Sequence, residues 1–143
     1  MKTLKQLLES KNKKLASVAP DQTVLRALEI MAEYDVGALL VLDGKHLSGV
    51  FSERDYARKV ILQGKASKST KVSEVMSGKV VYVTLDRTIE ECMAIMTEKH
   101  FRHLPVLDEA HNVVGIVSIG DMIKEMISQQ RFIIGQLESY IAS

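Results

Sequence analysis

The sequence predicts an α+β fold of two pseudo-symmetric repeats, each running strand, helix, strand, strand, helix, packed on one another through their sheets. Three observations predict it: an internal duplication, a helical apolar period early in each copy, and a pair of short β-branched runs joined by a turn after it. Displacing the 143-residue chain against itself by 65 positions pairs Asp21, Thr23, Ile30, Met31 and Glu33 with Asp86, Thr88, Ile95, Met96 and Glu98. The same displacement pairs Leu39, Val41, Leu42 and Asp43 with Leu104, Val106, Leu107 and Asp108. After one extra residue in the second turn the displacement becomes 66, and Gly49, Ser52 and Asp55 meet Gly115, Ser118 and Asp121.

Each element follows in order. A short helix opens each half, with Leu4, Leu7 and Leu8 echoed by Val72, Val75 and Met76. The first strands fall near 16–19 and 80–83. Over 23–34, Val24, Ala27, Leu28 and Met31 make one apolar stripe, and over 88–99 Ile89, Cys92, Met93 and Met96 make its counterpart, the 3.6-residue period of an amphipathic helix. Thr88 and Glu91 have the spacing of a capping box, which places that helix start. Strands at 38–42 and 47–51, and at 103–107 and 113–117, form hairpins across Asp43-Gly44 and 108–112. A closing helix covers about 53–63 in the first copy and 119–129 in the second. A unit of about 55 residues buries too little to be secure alone, so the copies are expected to share a core. The resulting boundaries are 1–63 for the first repeat with its N-terminal helix, 64–70 for a lysine- and serine-rich linker, and 71–130 for the second repeat. Residues 131–143 form a helical extension whose Ile133, Ile134, Leu137, Tyr140 and Ile141 suit another subunit, so a homodimer is expected.

Composition narrows the function. Nineteen basic and eighteen acidic side chains leave a formal charge of +1, which gives no electrostatic case for nucleic acid or an anionic membrane. A single cysteine excludes an intramolecular disulfide, and the absence of an apolar leader or a run of ~20 apolar residues leaves a cytoplasmic, soluble protein as the expectation. Cys92 falls on an apolar helix stripe and reads as core. His100 and His103 lack the further ligands of a closed metal site. Lys11, Lys13 and Lys14, like the linker lysines, read as short solvated runs without interleaved aromatics. No nucleophile, base and orienting group converge, so no enzymatic activity is expected.

The informative element is the junction Gly-x-x-Ser-x-x-Asp, present as Gly49, Ser52, Asp55 and again as Gly115, Ser118, Asp121. Two readings stand side by side. A serine followed three residues later by an acid caps a helix and needs no ligand. The same helix start offers free amides to a ligand, while the carboxylate one turn in can accept hydrogen bonds from both hydroxyls of a ribose.

Together with the strings 83–88 (Val-Thr-Leu-Asp-Arg-Thr) and 101–108 (Phe-Arg-His-Leu-Pro-Val-Leu-Asp), the duplicated junctions make the chain resemble the CBS domain family, whose members occur as tandem pairs. The resemblance covers nearly all of residues 1–130. It implies a free-standing regulatory module that binds an adenine nucleotide (AMP, ADP, ATP or NAD), carries no catalytic cofactor and passes its output to an unidentified effector protein. It also implies two clefts, one from Ser118 and Asp121 with Thr23, Val36, Gly37 and Ala38, the other from Ser52 and Asp55 with Thr88, Phe101, Arg102 and His103. Arg54 and Arg58 flank Asp55 and, unless they merely form a solvated helix face, suit the Asp55 cleft to the more highly phosphorylated or dinucleotide ligand. Leu40, where the second copy has Pro105, departs from the symmetry and leaves the first copy's strand geometry open. The alternative is an interaction or dimerisation module whose clefts stay empty.

Overall fold

The computed structural model describes residues 2–11 and 15–142. Helix α1 (Leu4–Ser10) precedes β1 (Ser17–Val18), α2 (Val24–Tyr34), the hairpin β2 (Ala38–Asp43) and β3 (His46–Ser52), and α3 (Glu53–Asp55), which runs on as a π-helical stretch over Tyr56–Ile61. The second half repeats the order: α4 (Val72–Val75), β4 (Val83–Thr84), α5 (Ile89–Lys99), β5 (His103–Leu107), β6 (Val113–Ser118) and α6 (Ile119–Ala142). Each sheet has three strands, β1-β2-β3 and β4-β5-β6, with the first pair parallel and the second antiparallel. Both hairpins slip register at matching points, Val41/Leu42 and Val106/Leu107. The first hairpin turns at Gly44 and Lys45 rather than at Asp43-Gly44, because Asp43 still pairs with His46 and Gly44 carries the positive φ of 62°.

Helix starts follow the side-chain oxygens. Thr23 accepts from the Arg26 amide, and Thr88 and Glu91 close the expected capping box, the Glu91 amide donating to Thr88 Oγ1 at 3.2 Å. The apolar stripes bury as predicted, with Val24, Ala27 and Met31 in one core and Ile89, Cys92 and Met96 in the other. Burial pushes the Cys92 thiol up to about 11, so it is a packing group at neutral pH.

The short helices cross over. Leu4 and Leu7 of α1, expected with the first repeat, pack in the second core, while Val72 and Val75 of α4 pack in the first. Backbone bonds fix the exchange: the Leu4 amide donates to Arg87 O and the Ile89 amide to Lys2 O, and correspondingly Val24 donates to Thr70 O and Val72 to Gln22 O. The boundary at residue 63 therefore separates sequence repeats rather than packing units. The expected linker is anchored as well, since Thr70 is buried and bonded to Ala66 O.

Alternation along β2 places Ala38 and Leu40 opposite Leu39 and Val41, yet all four are buried, so the sheet is covered on both faces. The second sheet lies against it, with Val50 bordering a cleft shared with Pro105 and Ala38 one shared with Ile116. The junction glycines serve this packing. A Cβ at Gly49 would stand 2.6 Å from Ser77 O, just beyond α4, and one at Gly115 would stand 2.9 Å from a Leu8 methyl of α1, so the two glycines make room for the exchanged helices.

The closing helix of the second copy does not end near 129. It continues unbroken to Ala142, and every residue from 131 to 142 is exposed.

Candidate functional site

Both junction motifs form capped helix starts that open onto clefts. At the first, the Ser52 amide and hydroxyl donate to Asp55 Oδ2 at 3.0 and 3.1 Å, and the Asp55 amide donates back to Ser52 Oγ at 3.2 Å. Asp55 Oδ1 takes an ion pair from Lys59 at 3.2 Å. At the second, the Ser118 amide donates to Asp121 Oδ2 at 2.8 Å and Lys11 Nζ reaches the same oxygen at 2.7 Å. Burial pushes the Asp121 carboxyl up, but the Lys11 and Ser118 hydrogen bonds and the Lys11 charge outweigh it and hold the group below the usual carboxylate value.

The Asp55 cleft encloses about 240 Å³ between the two repeats. Ser52, Arg54 and Asp55 line it from one side and Phe101, Arg102 and His103 from the other, together with Val80, Val81 and Pro105 as an apolar wall. Arg54, Lys79 and Arg102 bring three fixed cations against one carboxylate already paired with Lys59. The Asp121 cleft, about 160 Å³, is lined by Val36, Gly37, Ala38, Ser118 and Asp121 with Lys11, Asp35 and His103, so a single lysine meets two carboxylates.

Most of the residues read from sequence come together, and three do not. Thr23 and Thr88 cap α2 and α5 outside the clefts, and Arg58 lies exposed on its helix, with Lys59 in the role of ion-pair partner to Asp55. Lys11, expected to be solvated, instead reaches across the fold to Asp121 and the Ile116 carbonyl; Lys13 and Lys14 lie outside the described residues. Lys79 and Lys11 were the residues to find. The signal was present: displacing by the 68 positions that pair Leu4 with Val72 and Leu7 with Val75 also pairs Lys11 with Lys79.

His103 borders both clefts. Burial holds its imidazole below the ordinary histidine pKa, and Lys11 and Arg102 push the same way against Asp121 and Asp55. A histidine lowered on folding binds fewer protons in the folded chain than in the unfolded one, so it lowers stability as pH falls from about 6.5 through its folded value. Chemical denaturation should show that loss over this window, and His103→Gln should flatten it; an unchanged pH profile in the variant would place the acid-sensitive group elsewhere.

A family model for the CBS domain matches residues 6–61 and 72–128, one match for each repeat. The chain belongs to the CBS domain family. It is 38% identical over 126 residues to CBSX3, a mitochondrial CBS domain-containing protein of Arabidopsis thaliana, and covers 61% of that protein against 85% of itself. A protein with CBS domains from Burkholderia ambifaria superposes with a TM-score of 0.85 at 45% identity, over 90% of this chain and 96% of the other. The CBS pair of MJ0100, solved with 5′-methylthioadenosine and S-adenosylmethionine, shares the fold at a TM-score of 0.80 and 22% identity, over 90% and 98% of the two chains. CBS pairs are regulatory modules, and among the described residues of this one no helix is long and apolar enough to cross a membrane.

Proposed function

We propose that this CBS pair is a regulatory sensor that binds adenine nucleotides (AMP, ADP, ATP or NAD) without transforming them. The observation that carries the reading is the Asp55 cleft, where a carboxylate fixed at a helix start faces a wall of cations. Of the about four lone-pair sites of a carboxylate, Ser52 takes two and Lys59 one, so Asp55 keeps one for a ribose hydroxyl and gains a second where Lys59 turns to solvent. Phe101, Val81 and Pro105 suit an adenine face, and Arg54, Lys79 and Arg102 suit phosphates beyond the sugar. The adenosyl ligands of the MJ0100 pair support the ligand class. The ligand acts by linkage, favouring whichever arrangement of the repeats binds it better, and the output passes to an effector protein. Calorimetry and thermal shift with AMP, ADP, ATP, NAD and adenosine test it. Stabilisation of about 2.7 kcal/mol at a hundredfold excess over Kd is expected for the ligands that bind, phosphorylated ones first. Absence of heat and of any shift across the panel would leave the second reading, an interaction module with empty clefts, which the internal pairing of both carboxylates favours.

The sensor is also proposed to be a homodimer through α6. The face that carries Ile119, Met122 and Met126 into the second core continues as Ile133, Ile134, Leu137, Tyr140 and Ile141, beyond the body of the molecule. One apolar stripe, half covered by core and half exposed, suits the same stripe of a second copy, the isologous contact usual in homodimers. Ile134→Glu with Leu137→Glu should convert dimer to folded monomer in sedimentation equilibrium; a wild-type chain that sediments as a monomer at high micromolar concentration overturns the assignment.

A further inference from the structure

The two clefts are equivalent by the repeat, but a lysine sits differently in each. Lys79, exposed, lines the Asp55 cleft and among the described residues makes no ion pair, whereas its counterpart Lys11 is bound to Asp121 and to the Ile116 carbonyl at 3.1 Å. Lys11 also borders a smaller chamber of about 80 Å³, which shares Lys11, Val36, Ala38 and Ile116 with the 160 Å³ Asp121 cleft. The two chambers together match the 240 Å³ of the Asp55 cleft. Lys11 thus borders both chambers, with its ammonium on the carboxylate that a ribose would need.

We infer that Lys11 determines which adenosyl ligands the Asp121 cleft accepts, admitting those that carry a phosphate and opposing those that are neutral or cationic. The inference rests on the adenine-nucleotide reading above and names the selectivity of its second cleft. A ribose that engages both oxygens of Asp121 displaces Lys11 from Oδ2, and the side chains of Lys11 and Asp121 are only about one-fifth exposed, 23% and 22%. A released ammonium in so little water needs a new anion. A phosphate on the ligand supplies one as a charge-assisted hydrogen-bond acceptor, uncharged adenosine does not, and a sulfonium repels Lys11 while competing for Asp121.

Amide NMR separates the clefts, since Gly37, Gly115 and Ser118 report on one and Ser52, Arg54 and Phe101 on the other. AMP, adenosine and S-adenosylmethionine are titrated into wild type, Lys11→Ala and Lys11→Arg. In wild type, AMP should lead both other ligands at Gly115 and Ser118 by tenfold or more, in line with the strength of a charge-assisted bond. Lys11→Ala should weaken AMP about tenfold and reverse its order against S-adenosylmethionine, while Lys11→Arg keeps the wild-type order and shows that the charge, not the fold, is responsible. The same order in wild type and Lys11→Ala, or binding confined to the Asp55 cleft in every chain, overturns the Lys11 inference and leaves the nucleotide reading standing. Failure of all three ligands at both clefts in all chains removes the nucleotide reading and this inference with it.

Discussion

Leu4→Ala should cost about 2–5 kcal/mol of unfolding free energy in urea, the range for truncating a fully buried leucine. Leu4 belongs to the first helix of the chain, yet it is wholly buried in the second core beside Ile89, Cys92 and Met96. The α1 backbone is tied there by the Leu4 and Lys5 amides, which donate to Arg87 O and Leu85 O. Amide exchange should therefore quicken first at Leu104 and Val106 in β5, not at Leu39 and Val41 in β2. A loss below 1 kcal/mol with unchanged exchange in β5 would mean that α1 is a frayed terminus and that the exchange of helices contributes nothing. The reciprocal seat of α4 in the first core makes each repeat complete only with a helix from the other half of the chain. The two cores are thereby stabilised jointly, which suits a module whose proposed ligand clefts lie between them.

Local pattern carried the fold a long way and stopped where distance in sequence began. The stripes of α2 and α5 repeat every 3.6 residues, and the paired runs of each hairpin are short and β-branched, so element type and order were readable from neighbours alone. The spacing of Leu4, Leu7 and Leu8 announces an apolar face but contains nothing about which core receives it, because partner choice is a tertiary property. The same holds at the site. Ser52 with Asp55 and Ser118 with Asp121 were legible because capping is a contact over three residues. Lys11 with Asp121 was not, since the two are 110 positions apart and a lysine near other lysines reads as solvated. Thr23 and Thr88 show the opposite: each accepts from an amide of its own helix, Arg26 or Glu91, and neither lines the two clefts.

Asp55→Asn should weaken nucleotide binding by about 10- to 150-fold, the equivalent of losing about 1.5–3 kcal/mol from hydrogen bonds to a charged acceptor. The choice of asparagine separates binding from folding. Its carbonyl oxygen can still accept from the Ser52 amide, so the helix start keeps its cap, while the charge proposed to hold the ribose is gone. The Lys59 ion pair is lost as well, but Lys59 is 44% exposed and such pairs contribute little to stability. The expected pattern is thus a large change in Kd from calorimetry with a melting temperature that hardly moves without ligand. Arg102→Ala supplies the complementary pattern: it should weaken ATP and NAD more than adenosine, because adenosine offers the cleft-lining guanidinium no phosphate to bind. If Asp55→Asn lowers the melting temperature and leaves Kd untouched, the carboxylate is only a helix cap and takes no part in holding the nucleotide. The two variants together decide whether the first cleft reads both ends of one ligand, the sugar through Asp55 and the phosphates through Arg102.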